Sequence, residues 1–290
     1  MIKATIILDS ISPEGIRITT FELEYPRFIH SELMTHRCFS RNAASSRAIP
    51  IEAMHKQILE ETAMPVSWGK NMAGMQAKED LPPEHTEIAK QLWAKACKDA
   101  LHWSKALADL GLHKQCANRI VESFVTMKTI VTSTEWANWY ELRNHSDADP
   151  TIHALAAAME VEHIKSVPVA LAEGQWHLPY VDSLFDEAGH QWLKQDDVIL
   201  DLETAKMISV SCCAQVSYRK SDTSIDKAKM IYERLVGMRP QHASPLEHQA
   251  TPLESIPSFT TWPKGVTHMD RAGQFWSNNF RGWLQNRSLM

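Results

Sequence analysis

The sequence predicts an α+β protein: a small, mostly antiparallel sheet beside a predominantly helical remainder. Three observations carry that expectation. Residues 2–9 and 16–25 alternate apolar and polar side chains on either side of Ser12-Pro13-Glu14-Gly15, the pattern of two strands joined by a turn. Apolar residues recur at helical spacing over most of the rest of the chain. The 290 residues are 44% hydrophobic and 22% charged, with no run near eighteen apolar residues, which describes a globular chain and excludes a spanning helix or a largely disordered one.

Taken in order, Pro26 ends the second strand, and Arg27 to Arg37 reads as a short helix. Cys38 to Pro50 is irregular, rich in small residues and poor in core formers. Helices follow at about 51–62, 84–110 (stopped by Gly111), 114–124, 134–143 and 151–165, interrupted by a strand over 127–133. Residues 166–200 carry Pro168, Pro179 and the segment Trp176-His177-Leu178-Pro179-Tyr180 with little periodicity, and read as a connector between a 1–165 half and a 201–290 half. The second half holds helices near 202–215 and 224–237, a proline-rich passage from 240 to 263, and a Trp-rich tail. No internal repeat is evident.

Thirty Lys and Arg against 35 Asp and Glu give a net charge of -5, which argues against nucleic acid as a partner and requires any anion to be bound locally. The apolar start is broken by Asp9, too early for a secretory signal, and five cysteines without a C-x-x-C pair suit a reducing compartment; both predict a cytoplasmic protein with no membrane partner. Glycine-rich nucleotide loops, H-E-x-x-H and G-x-S-x-G are absent. The histidines (His153 and His163 near Glu160, or His242 and His248) lack tight ligand spacing, so no metal is expected. Glu84 and Glu87 have the spacing of a helical nucleotide pyrophosphatase, but no second acidic pair follows, and a solvated helix start explains them.

The informative stretch is Thr35-His36-Arg37-Cys38-Phe39-Ser40-Arg41-Asn42-Ala43-Ala44-Ser45-Ser46-Arg47. Its arginines, hydroxyls, histidine and amide make a surplus of donors suited to phosphate, and its small residues allow close backbone approach. On physics alone, a polar loop paired to surface carboxylates is an equal reading.

This stretch resembles the signature of flavin-dependent thymidylate synthases, R-H-R followed by S-x-N-x-x-S-x-R, with His36, Arg37, Ser40, Asn42, Ser45 and Arg47 in register. Phe21 to Pro26 resembles the family's preceding strand; Asn118-Arg119-Ile120-Val121, Asn138 and Leu142-Arg143 resemble its second substrate-binding region. Ala214-Gln215-Val216-Ser217-Tyr218 and Ser244-Pro245-Leu246-Glu247-His248 resemble two segments that precede the signature in most members and follow it here. The order is that of a circular permutation, which preserves packing when the old ends lie close, and is most similar to the phage-encoded branch. Residues 51–110, the connector and the tail 275–290 fall outside the resemblance.

The resemblance implies reductive methylation of dUMP at C5 to dTMP, with FAD as cofactor, methylene-tetrahydrofolate as carbon donor and NADPH as reductant, in a homotetramer with sites at subunit contacts. It implies that Ser45, Ser46, Arg47 and Arg119 hold the nucleotide phosphate, that Arg143 faces the pyrimidine as the catalytic residue, and that His36, Arg37, Asn42, Asn138, Ser217 and His248 surround the flavin. Asn138 and Arg143, five residues apart on a helix, diverge by about 140° and should serve different ligands. None of the cysteines sits in an activating context, and Cys38 is expected to be a buried, inert thiol. Thr35, Ala43 and Ala48 replace an Arg, a Glu and a Tyr of the family pattern. Glu32 stands one helical turn before His36 where the family often has Gln; a carboxylate can accept from a cytosine amino group, so a dCMP substrate or a hydroxymethyl product is the alternative reading. The tail aromatics, Phe275 to Trp283, are expected in core or interface rather than on nucleic acid.

Overall fold

The computed structural model describes residues 2–217, 222–253 and 262–290, the Ser217 side chain excepted. Strands β1 (Lys3–Ile11) and β2 (Arg17–Pro26) pair antiparallel, and their turn closes through Gly15 at φ +77, a left-handed conformation that glycine adopts without a Cβ clash. Strands β3 (Ser40–Ala43), β4 (Thr126–Ser133) and β5 (Val169–Ala170) complete a five-stranded sheet in the order β3-β4-β2-β1-β5, antiparallel except where β5 runs parallel to β1. The signature stretch is therefore the sheet's edge strand, and β4 fixes its register, with Asn42 opposite Ile130.

Alternation along β2 gives the sheet two unlike faces. Phe21, Leu23 and Tyr25 bury into a core made with Trp136, Trp139 and Ile152, Leu155 and Met159 of the helix over Pro150–Lys165. Thr20 points the other way, into a buried polar seam. The Thr20 hydroxyl meets His177 Nε2 at 2.9 Å and Thr132 at 2.7 Å, and Thr132 meets His248 Nδ1 at 2.8 Å. Both imidazoles are fully buried, and desolvation holds their pKa values down to about 3, so they are neutral members of the seam.

The helices are α1 (His30–Leu33), α2 (Ile51–Glu60), α3 (Pro83–Asp109), α4 (Lys114–Ala117), α5 (Ala137–Arg143), α6 (Pro150–Lys165), α7 (Leu202–Ala214) and α8 (Ile225–Tyr232). Helix α6 starts where Asp149 accepts from the backbone amides of Thr151 and Ile152, with Pro150 in its first turn. Two expected helices are corrected. The segment after Pro26 is a 3-10 turn (Arg27–Ile29) running into one α turn, and 114–124 is α4 followed by a 3-10 helix over Asn118–Phe124. In both places polar side chains take backbone partners: the Thr35 hydroxyl bonds the Glu32 carbonyl, and the Asn118 amide bonds the carbonyls of Ser46 and Ile49.

The 166–200 segment folds into β5 and a three-stranded sheet, β6 (Asp182–Phe185), β7 (Gln191–Gln195) and β8 (Val198–Leu200), whose buried Leu193 and Leu200 pack with Trp176, Leu178 and the α7 residues Ala205 and Ile208. A second small sheet lies at 268–281. The two share a local device, correcting the expectation of no repeat: D-x-A-G-x-x-W at 186–192 and again at 270–276. In each, the Asp carboxylate caps two turn amides and accepts from the Trp indole, and the Gly has φ near +80, at +81 and +79. Two short copies far apart carry no periodic signal.

The tail packs inward: Phe280 and Trp283 are fully buried against Ile16 and Ile18, and the Trp283 indole donates to the Ile16 carbonyl. Gly282 has φ +66, where a side chain is strained, and an added Cβ would lie 2.3 Å from Ile16 Cδ1, forcing that side chain to shift. Among the described residues no helix is long and apolar enough to cross a membrane.

Candidate active site

The signature stretch leaves α1 at Thr35 and enters β3 at Ser40. Arg41 secures that turn by donating to the carbonyls of Leu33, Met34 and His36, adding to the backbone bonds that His36 and Phe39 make to the first and last of these. From the next helix layer, Arg143 at the end of α5 reaches the same turn. Its Nη1 donates to Glu32 Oε2 at 2.9 Å, its Nε to His36 Nε2 at 3.1 Å, and its Nη2 to Thr35 Oγ1 at 3.2 Å. Three acceptors thus hold one guanidinium that is 21% exposed.

The electrostatics follow from crowding. Burial, then the charges of Arg143 and Arg41, lower the His36 pKa to about 4, so the ring is neutral and its Nε2 lone pair is free to accept. The ring lies edge-on to Trp139 at 4.8 Å. Glu32 is pulled both ways, burial raising its pKa more than Arg143 lowers it, with Asp149 adding to the rise.

The expected phosphate group divides in two. Ser45 and Arg47 line an open cleft of about 680 Å³ with Arg41, Asn42, Gln115 and His242. Ser46 lines a separate pocket of about 250 Å³ with Arg27, Gln57, Met54, Thr126 and Met127. Arg119 lines neither space and meets Ser46 only indirectly, because Glu122 Oε1 accepts from Arg119 Nη1 at 2.9 Å and from the Ser46 hydroxyl at 2.5 Å. Arg143 belongs to neither set.

The residues expected around a flavin also separate. Arg37 and Asn138 are exposed, and Asn138 makes no hydrogen bond to the Arg143 cluster among the described residues. Asn42 is buried and donates to the Cys213 carbonyl, joining the signature strand to the end of α7. His248 lies in the seam on Thr132, its Nε2 without a hydrogen-bond partner among the described residues. The Ser217 side chain and Tyr218 lie outside the described residues. The two segments that follow the signature in sequence thus pack beside it: Cys213 through Asn42, and Glu247 through Gln285, which donates to the Glu247 carbonyl and the Ser40 hydroxyl.

Cys38 corrects an expectation: it is exposed. Its thiol pKa is nonetheless raised, by local desolvation first and the Glu135 carboxylate second, so it is a poor nucleophile at neutral pH. Glu84 and Glu87 lie exposed in the first turns of α3.

Sequence reasoning missed Arg27 and Glu122, and the tail residues that brace the signature. Asn279 bonds the Ser40 hydroxyl and the Cys38 carbonyl, and Arg281 pairs with Glu135 at 2.5 Å. Only Glu122 carried a local signal, three residues after Arg119 at ion-pair spacing.

No curated protein matches the chain. Among solved structures, the UMP/dUMP methylase PolB from Streptomyces cacaoi bound with 5-Br UMP is 17% identical and covers 57% of this chain and 89% of that one, with a TM-score of 0.49. Its structure bound with 5-Br dUMP is 16% identical and covers 57% and 90%, with a TM-score of 0.48. The model of the thymidylate synthase complementing protein family matches residues 13–169, just over half of the 290 residues and all of the signature stretch. With β2, the signature strand, Arg119 and Arg143 all inside that match, the chain belongs to the thymidylate synthase complementing protein family.

Proposed function

We propose that the protein is a flavin-dependent enzyme of the thymidylate synthase type that methylates C5 of dUMP, with methylene-tetrahydrofolate as carbon donor and NADPH as reductant, to give dTMP. Family membership supports the class of reaction. The observation that carries the reading is Arg143, held by Glu32, Thr35 and His36 before any substrate arrives. A fixed guanidinium stabilises the negative charge that a pyrimidine develops when its C5 becomes nucleophilic, and it does so without reorganising in the reaction. Ser45 and Arg47 bind the 5′-phosphate from the cleft side, with Ser46 on the neighbouring pocket and Arg119 joined to Ser46 through Glu122.

FAD, when bound, supplies the hydride and relays the one-carbon unit. The donor chemistry present fits it. Arg37 makes no ion pair among the described residues and Asn138 offers an open amide, a combination suited to a pyrophosphate and a ribose. His36 presents a neutral ring at this turn. Asn42 and His248 serve the same site from behind, by fixing the signature strand and β4. A homotetramer agrees with the stripe of Ile88, Leu92 and Trp103 along α3, which is apolar and solvent-exposed in the single chain; sedimentation analysis checks it.

A second reading has one observation in its favour. Glu32 offers an acceptor beside the guanidinium donors of Arg143, a pairing that also suits the amino group and N3 of cytosine. It makes the enzyme a methylase or hydroxymethylase of dCMP.

The test is the visible spectrum of the purified protein reconstituted with FAD, recorded with dUMP and with dCMP, followed by product analysis. A flavin spectrum perturbed by dUMP and formation of dTMP alone are expected. Perturbation by dCMP alone, or a hydroxymethylated product, selects the second reading; a protein that takes up no flavin overturns both.

A further inference from the structure

Three donors converge on one oxygen of Glu122. Its Oε1 accepts from the Ser46 hydroxyl at 2.5 Å and from Arg119 at 2.9 Å, and it lies 3.3 Å from Arg27 Nη2. Arg27 is itself anchored, its Nη1 donating to the Ala44 carbonyl at 3.4 Å, and its side chain is 20% exposed. Two guanidinium groups and a hydroxyl around a single anionic oxygen are the donor set of a phosphate monoester site. These donors come from three places in the chain: the turn after β2, the end of the signature stretch, and the 3-10 helix after α4. Their common point is not a local accident of one helix. It also borders the 250 Å³ pocket, which Arg27 and Ser46 line.

We propose that Arg27, Ser46 and Arg119 form a phosphate-monoester site, and that Glu122 occupies it as an internal stand-in for the dianion until the nucleotide displaces it. This rests on the reading of the enzyme as one that binds a pyrimidine nucleoside monophosphate, and it adds Arg27 as a binding residue and Glu122 as a competitor. The Ser46 hydroxyl has one proton to donate, so it serves either the carboxylate or the phosphate, and Glu122 Oε1 holds the point where it and both guanidinium groups converge. Glu122 therefore lowers the affinity for phosphate and keeps two cationic groups from repelling each other in the free protein. Displacement is feasible because Arg119 is 52% exposed and Glu122 22% exposed, leaving both side chains room to turn toward solvent. No covalent step is involved.

Titration calorimetry on the FAD-reconstituted protein tests this with three probes: inorganic phosphate, dUMP and deoxyuridine. In E122Q the isosteric amide removes the competing charge, so phosphate and dUMP should each bind about tenfold more tightly than to the unsubstituted protein, with deoxyuridine unchanged. The double variant R119Q/E122Q should lose that gain. R119Q and R27Q alone should weaken phosphate and dUMP alike; R119Q alters an exposed side chain and keeps the test open if E122Q fails to fold. Phosphate binding that is unchanged or weaker in E122Q, or unaffected in R119Q, overturns the proposal. The two readings separate because phosphate reports on the donor set alone. Tighter phosphate with no binding of dUMP upholds the donor site and overturns the nucleotide reading; tight dUMP binding with no response to E122Q does the reverse.

Discussion

Arg143 and Arg119 are both family arginines on the same side of the signature stretch in sequence logic, yet the fold treats them differently. Arg143 is 21% exposed and held by three side chains from one rigid turn. Arg119 is 52% exposed and is paired with Glu122 three residues on in its own helix. A group that must meet charge developing in the reaction gains from being fixed beforehand, because reorganisation then adds nothing to the barrier. A group that captures a preformed phosphate works through long-range attraction and tolerates motion, at the cost of sensitivity to salt. On the proposed function, the difference matches a catalytic guanidinium on one side and a binding one on the other.

The largest expected effect is on turnover. Arg143→Gln should lower kcat by about 10² to 10³-fold with little change in the KM for nucleotide, as expected for an interaction made mainly in the transition state. A variant that raises KM alone would erase the distinction. Next, Arg47→Gln should weaken nucleotide binding by about tenfold at low salt while leaving saturated turnover unchanged, and the deficit should shrink as salt is raised. Binding titrations at two ionic strengths check it. Smaller still, Thr35→Val removes one of the three acceptors of Arg143; a loss of about 1 kcal/mol, roughly fivefold in kcat, is expected with the fold intact by circular dichroism.

The smallest change at neutral pH concerns His36. Because its folded pKa is about 4 against an ordinary 6.5, the Arg143 clamp keeps its neutral acceptor throughout the physiological range. Activity should not fall near pH 6.5 on account of this residue but only as pH drops through about 4. The sign for stability is the same. Between pH 6.5 and 4 the unfolded chain binds a proton at His36 that the folded chain does not, so stability declines as pH falls through that window; His30 and His163, also near 4, and His177 and His248, near 3, add to the slope. Each such proton amounts to about 1.4 kcal/mol per pH unit at most, and urea midpoints from pH 7 to 4 measure the sum. A flat profile would mean that none of these rings is held neutral, His36 among them, and that it cannot accept from Arg143.

Much of this was legible in residue order, and the parts that were not have a common cause. Alternation announced β1, β2 and β4, and helical spacing with Asp149-Pro150 announced α6, because each depends on neighbours a few residues away. The motif residues identified the family, and singled out Arg143, His36 and Arg47 as candidates for its chemistry. Nothing local announced that Asn279 and Gln285 would brace Ser40, or that His177 and His248 would meet through Thr20 and Thr132, since those contacts span more than a hundred residues. Cys38 was misjudged for the same reason: an apolar neighbour in sequence, Phe39, is buried, while the adjoining edge position remains exposed.

By itself, then, the amino-acid order determined the α+β class, the principal elements and the family to which the chain belongs, because periodicity and motif spacing are written in single segments. Tertiary structure alone decided that Arg143 is clamped while Arg119 is answered by Glu122, that the signature hydroxyls divide between two cavities, and that the tail is part of the site's foundation. Those outcomes depend on which distant donors and acceptors share a few ångströms. Hydrogen bonds and ion pairs are that short-ranged, and chain separation says almost nothing about such distances.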